Sequence, residues 1–268
     1  MPYAQLPLIA LAGFAAGTVN ALAGGGTLIT FPALLALGIP PLTANITSTV
    51  ALCPGYLGAA LAQRRELRGE RARLLPLLAV AAAGGLLGAM LLLRTGALAF
   101  SGAVPWLILL ACALLAVQER VRAALVARHA FDKGLASAGL EPPPSMTPPA
   151  APPWLLALIG AGAVYGGYFG AGMSVVLLAA LGCAFADPLP RLNALKQTLA
   201  LAANAAAAIW LANCASLNWP VVVVLAVSAL LGGAWGGRLA GHMSPRLLRS
   251  AVVLLGIAVA LVYLWRGR

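Results

Sequence analysis

Charge is scarce in this sequence. Asp, Glu, Lys and Arg make up 9% of its 268 residues, whereas a soluble domain carries roughly 25%. With 62% hydrophobic residues and a mean hydropathy of +0.96, no water-soluble fold of this size could hide the apolar surface. The apolar solvent has to be a bilayer. Carboxylates are scarcer still. Glu66, Glu70, Glu119, Asp132, Glu141 and Asp187 all lie near loops or interfaces, and none sits mid-span. Carriers of cations and protons usually keep carboxylates inside the membrane, where charge is costly and retained for function. Their absence tilts the reading toward an anionic or neutral cargo. No Gly-Lys-Ser/Thr nucleotide loop is present, which excludes an ATPase within this chain. No His-Glu-x-x-His or aspartate-rich motif is present either, so an intramembrane enzyme acting on a lipid-soluble substrate is the weaker alternative. His129 and His242 are isolated and read as solvated loop residues. The four cysteines, Cys53, Cys112, Cys183 and Cys214, lack metal-ligand spacing and read as small buried hydrophobes. The sequence therefore calls for no cofactor and no metal.

The net charge of +11 does not point to nucleic acid, because the basic residues fall in short clusters between long apolar runs. A helix needs roughly 20 apolar residues to cross the hydrocarbon core. Runs of that length occupy 5–23, 44–62, 74–93, 101–118, 154–172, 192–212, 219–237 and 246–265. Two further apolar stretches, 27–38 and 174–185, are too short, since a dozen helical residues reach only about 18 Å. Each follows a glycine-rich break (Gly24, Gly25, Gly26; Gly170, Ala171, Gly172) and ends near prolines (Pro40, Pro41; Pro188, Pro190), so each reads as a half-helix. If both short stretches cross, all of the 17 Lys and Arg except Arg94, Arg266 and Arg268 fall on one side, as the positive-inside rule requires. The expected fold is an all-α polytopic membrane protein.

The two halves resemble each other. GGGTLITFPALLALGIPPLTANITSTV from Gly24 parallels GAGMSVVLLAALGCAFADPLPRLNALKQT from Gly170, and PLLAVAAAGGLLGAMLLLR from Pro76 parallels PVVVVLAVSALLGGAWGGR from Pro220. Gly88 matches Gly232, and Arg94 matches Arg238. Five segments per half is an odd number, so the second copy would sit upside down relative to the first. Such inverted repeats recur in secondary transporters that work by alternating access. The expected division is a first repeat, 1–118, a cytosolic linker, 119–153, and a second repeat, 154–268. The linker begins as a basic helix extension and continues as the proline-rich EPPPSMTPPAAPPW, a tether of extended geometry.

The half-helix breaks offer what an anion needs. Thr27 and Ser174 lie at the N-terminal ends of the short helices, where unpaired amides and the helix dipole favour negative charge. Glycine allows close backbone approach, with close helix packing as the competing explanation. Asn45, Thr47, Ser48 and Thr49 open one long helix, and Asn193, Lys196, Gln197 and Thr198 open its counterpart. Lys196 is the cation best placed to meet an anion; otherwise it snorkels to the cytosolic surface. Asn20, one turn before the first break, and Tyr165 and Tyr168, before the second, border the same region, and Asn204 sits within a run of alanines. Gly232, Gly233, Gly236, Gly237 and Gly241 form small-xxx-small patterns that read as helix contacts.

AGFAAGTVNALAGGGTLITFPALLALGIPPLTANITSTVAL and YGGYFGAGMSVVLLAALGCAFADPLPRLNALKQTLALAANAAA resemble the paired motifs of the TauE/SafE sulfite exporter family, over most of the chain outside 119–153. The resemblance implies a multi-pass permease of the bacterial plasma membrane that carries sulfite or an organosulfonate. Its other partners would be the lipid bilayer and, in an oligomer, further copies of itself. It also implies that Gly24, Gly25, Gly26, Thr47, Ser48 and Thr49, and from the second copy Gly170, Ala171, Gly172, Lys196, Gln197 and Thr198, line the substrate site. This chain departs from the pattern at Ala171, at Leu178 in place of the proline matching Pro32, and at Lys196 and Gln197, where small hydroxylic residues are usual.

Overall fold

The computed structural model describes residues 5–22, 24–67, 71–137, 151–239 and 246–266. Among them are nine α-helices and no strand: α1 (Leu6–Leu22), α2 (Thr27–Ala36), α3 (Pro41–Ala62), α4 (Arg71–Ser137), α5 (Pro153–Tyr168), α6 (Met173–Ala184), α7 (Leu189–Cys214), α8 (Trp219–Leu239) and α9 (Arg246–Arg266), with a 3-10 turn at Arg64–Leu67. The 67 residues of α4 contain a kink at Gly96 (φ 75°, ψ 168°), which divides it into two passes. The stretches Arg73–Phe131, Leu189–Cys214 and Trp219–Arg238 are long and apolar enough to cross a membrane by length and composition, and shorter apolar helices cover Leu6–Leu22, Thr27–Ala36, Met173–Ala184 and Ser250–Trp265. The chain is an all-α polytopic membrane protein. The proline-rich 138–150 segment, Gly241 and His242 lie outside the described residues.

Local chemistry sets the helix ends. Pro41 begins α3, Pro153 begins α5 and Pro190 sits in the first turn of α7, positions where the missing N–H has no intrahelical partner to lose. The polar residues Asn45 and Asn193 therefore lie a turn inside α3 and α7 rather than opening them, which corrects the sequence-based boundaries. At the other end of α2, Gly38 (φ 79°) forms a Schellman stop: Ile39 N–H donates to Leu34 O at 3.2 Å and Gly38 N–H to Leu35 O at 2.9 Å. His129 is not a loop residue; it lies on α4, half-buried, with Nδ1 3.4 Å from Ala186 O. Of the cysteines, Cys112 is buried, but Cys183 and Cys214 are exposed. The expectation of four buried cysteines fails because these two stand at or near helix C-termini.

The helices of the two halves pack crosswise. In the second half, α8 lies on α1 and α3 of the first; in the first half, the early part of α4 lies on α5 and α7 of the second. Glycine allows these backbones to touch. A Cβ on Gly232 would strike Phe14 O, and one on Gly88, its sequence match, would strike Val164 O. A Cβ on Gly233 would meet Gly55 O, one on Gly85 would meet Ala203 O, and one on Gly17 would meet Ala229 O. Gly236 and Gly237 also abut backbone or Cβ atoms of α1 and α3. The small-residue patterns are close helix contacts, the arrangement that lets apolar helices associate without a hydrophobic driving force.

Candidate functional site

The two glycine breaks meet in the protein interior. Gly24 (φ 79°), Gly170 (φ 82°) and Gly172 (φ 85°) occupy the left-handed region that glycine enters without strain. Gly24 lies directly against Ser174, so a Cβ there would collide with that side chain. Reciprocally, a Cβ on Gly170 would stand 3.2 Å from Thr27 Oγ1. The first hydroxyl of each short helix thus faces the first glycine of the other break. Helices α2 and α6 start here, and the first turn of any helix presents amides without intrahelical acceptors. Gly26 N–H is directed at Asn20 Oδ1, 3.4 Å away.

The ends of the preceding helices are held by side chains from the opposite half. Gln197 of α7 donates through Nε2 to Asn20 O (3.3 Å) and Ala21 O (2.8 Å) at the end of α1. Asn45 of α3 donates through Nδ2 to Tyr168 O (2.9 Å) at the end of α5. These carbonyls are among the last of their helices and would otherwise be buried unpaired. Contacts therefore bring together Asn20, Gly24, Gly26, Thr27, Asn45, Tyr168, Gly170, Ser174 and Gln197. Several buried polar atoms around them have no hydrogen-bond partner: Thr30 Oγ1, Asn45 Oδ1, Ser48 Oγ, Ser174 Oγ and Gln197 Oε1. Such atoms are rare in native interiors and cost about 1–3 kcal/mol each, so a group of them in one place is unusual.

Lys196 is 0% exposed. Its side chain is enclosed by protein rather than reaching the surface, on α7 next to Gln197. Other sequence candidates have structural roles. Gly25 packs on Leu115 and Val252, and Gly172 on Leu114 and Ala111, so both glycines admit the second part of α4 or α9 rather than the opposing break. Thr49 and Thr198 turn back to Asn45 O and Ala194 O. Thr47 is buried (1% exposed) on α3 beside Ser48. Asn193 lies apart from the breaks and donates to Gln63 Oε1 at 2.7 Å.

Aromatic rings pack beside the centre, and a cavity lies near it. Beyond α2's first turn, Phe31 packs edge-on against Phe169 (ring centroids 5.7 Å apart), and Phe100 packs against Tyr168 (5.9 Å) and Phe169 (6.5 Å). All three phenylalanines are essentially inaccessible. Toward the C-terminal end of α3, a cavity of about 350 Å³ is lined by residues that include Leu22, Gln63, Arg65, Gln118, Arg122, Leu178 and Asn193. Leu22 stands two residues before Gly24, and Leu178 one turn after Ser174, so the cavity floor adjoins the breaks. Sequence reasoning missed Gln63, Gln118, Arg65, Arg122 and Thr30. It also missed Tyr56, a buried neighbour of Asn20 and Asn204. Thr30 and Tyr56 were marked only as polar residues in apolar runs, and Gln63, Arg65, Gln118 and Arg122 fell in charged clusters that read as ordinary loop surface.

The comparisons with known proteins agree with this architecture. Residues 9–263 match the family model described as Sulfite exporter TauE/SafE. A relative from Sinorhizobium sp., named Probable membrane transporter protein ORF9, is 38% identical over 86 residues, covering 32% of this chain and 33% of that protein. A second from Haemophilus influenzae, named Probable membrane transporter protein, is 35% identical over 104 residues, covering 39% of this chain and 41% of that one. The aligned region thus spans between a third and two fifths of each relative's length. No solved structure matches. Matched along nearly its whole length, and with the paired glycine breaks that the sequence motifs anticipate, the chain belongs to the TauE/SafE sulfite exporter family.

Proposed function

We propose that this protein is a secondary transporter of the bacterial plasma membrane that exports a small anion, sulfite or an organosulfonate, by alternating access of two inverted halves. The observation that carries the reading is the meeting of the two breaks, Gly24 against Ser174 and Gly170 beside Thr27; Lys196, next to Gln197 on α7, is fully buried. Two helix N-termini and one ammonium supply positive potential from three directions. All three lie in buried surroundings, where each is worth more than at a surface. The hydroxyls of Ser48 and Ser174 supply hydrogen-bond donors that suit sulfonyl or sulfite oxygens. Asn20, Thr27, Asn45, Gln197 and the glycines position these groups, Gly25, Gly172, Thr47, Thr49 and Tyr168 border the site, and Asn193 lines the cavity that leads to it.

The crosswise contacts support the inverted relation: residues matched in sequence make matched contacts, Gly88 with α5 and Gly232 with α1. Arginines cluster beside the cavity, which by the positive-inside rule faces the cytosol. The described conformation is accordingly the inward-facing one, with Phe31, Phe100 and Phe169 closing the outer path. The test is flux of radiolabelled sulfite and sulfoacetate into proteoliposomes, with and without a pH gradient. Wild-type protein carries at least one of these anions. Lys196→Met lowers its flux at least about tenfold, a loss of ~1.4 kcal/mol or more. Unchanged flux in Lys196→Met removes the lysine from the mechanism, and absence of flux for every sulfur oxyanion removes the substrate assignment.

A further inference from the structure

The cavity beside the breaks has a charge pattern that the central site does not explain. Arg65 comes from the 3-10 turn after α3 and Arg122 from the inner end of α4, 57 residues apart in sequence, yet both line one cavity of about 350 Å³. Neither arginine is paired with a carboxylate among the described residues, in contrast to Arg73 and Arg191, which share Asp187 at 3.1 and 3.2 Å. Amides surround the arginines. Gln118 is 2% exposed, yet its amide oxygen has no partner, and the amide nitrogen of Gln63 has none either. An amide can present either end to a ligand, so both residues can donate. One carboxylate, Glu66, lines the same wall, so the described lining residues carry one net positive charge. At ~30 Å³ per molecule the space holds about ten waters, room for an oxyanion that keeps part of its hydration shell.

We propose that this cavity is a second anion site, which captures a small sulfur oxyanion from the cytosol before it passes Leu22 and Leu178 to the helix breaks. The inference rests on the transport reading above and deepens it. A capture site raises the local anion concentration at the centre without taking part in translocation. Its loss therefore appears in KM and leaves the maximal rate intact. The half-hydrated, exposed setting also makes it salt-sensitive, because screening shortens from ~30 Å at 0.01 M to ~3 Å at 1 M ionic strength.

The experiment measures sulfite flux from the Arg65/Arg122 face in vesicles of zwitterionic lipid alone and in vesicles containing phosphatidylglycerol. At low salt, Arg65→Gln and Arg122→Gln each raise KM about fivefold, with maximal rate within about twofold of wild type, and Glu66→Gln lowers KM. The corresponding lysine variants keep most of the wild-type KM, which separates charge from packing. High salt raises the wild-type KM toward that of the double Arg→Gln variant. An unchanged KM in the double variant overturns the proposal, while loss of flux in Lys196→Met still upholds the central site. A KM effect confined to vesicles containing phosphatidylglycerol also overturns it, because the cavity would then hold a lipid headgroup.

Discussion

An added β-carbon would meet very different surroundings at two glycines of this protein. Gly24 and Gly38 have the same backbone angle, φ 79°, but a Cβ on Gly24 would run into Ser174, whereas nothing lies within 4 Å of one on Gly38. Alanine at either position incurs the left-handed penalty of about 1–2 kcal/mol. Gly24→Ala adds an overpacking cost of ~1–3 kcal/mol and pushes the two breaks apart. We expect Gly38→Ala to lower the thermal midpoint in detergent slightly and leave flux near wild type, and Gly24→Ala to lower both. Adding Ser174→Gly to Gly24→Ala removes the obstructing side chain and restores part of the flux. Equal effects of the two single variants would mean that the close approach of residues 24 and 174 has no role in transport.

Residue-level chemistry was also the least legible part of the sequence. The glycine breaks, Thr27, Ser174 and Lys196 stood out because glycine-rich interruptions and a lysine are rare in such apolar surroundings. Gln197 and Asn45 were recognised as polar, but their actual partners, carbonyls more than 100 residues away in the chain, leave no local trace. Gln118 and Tyr56 were missed for the same reason: burial of a polar group is a property of the neighbours that fold around it.

Among the elements, the short helix α6 shows how a half-helix is held at its far end. Its last carbonyls receive Arg128 Nη1, which donates to Gly182 O at 3.2 Å and lies 3.5 Å from Cys183 O. Just beyond, the Arg73 guanidinium sits 3.8 Å over the Phe185 ring and pairs with Asp187. A cation at a helix C-terminus contributes about 0.3–1 kcal/mol. Arg128→Gln should therefore speed amide hydrogen exchange in residues 182–187 by a few-fold and leave exchange in α3 unchanged; equal protection in both proteins would show that the arginine holds nothing. The elements themselves were legible in the sequence. Ten apolar segments correspond to eight helices and the two passes of α4, because bilayer thickness dictates run length. Their boundaries were not. Proline at the first turn starts α3 and α7 before the first polar residue, and one glycine, Gly96, turns the chain between passes where the hydropathy gap suggested a loop.

Across the molecule, the direction of the charges sets orientation. Cys183 lies near the end of α6 that Arg128 holds, and Cys214 closes the 26-residue helix α7 at its opposite end. Both are exposed, so they are built-in reporters of the two faces. In variants retaining one cysteine each, a membrane-impermeant maleimide should modify Cys183 only in inside-out vesicles and Cys214 only in right-side-out vesicles. The reverse pattern would place the cavity of Arg65 and Arg122 outside, and with it invert the direction of capture.

The crosswise glycine seams carry a consequence for biogenesis. Helices α1 and α3 find their principal neighbour, α8, only after roughly 160 to 200 further residues have left the ribosome, about 10–40 s at ordinary elongation rates. During that interval the grooves at Gly13, Gly17, Gly55 and Gly58, shaped for another backbone, face lipid. Each nascent half is thus an open clasp, and the mature transporter snaps shut as one knot of two hands rather than assembling from two finished pieces.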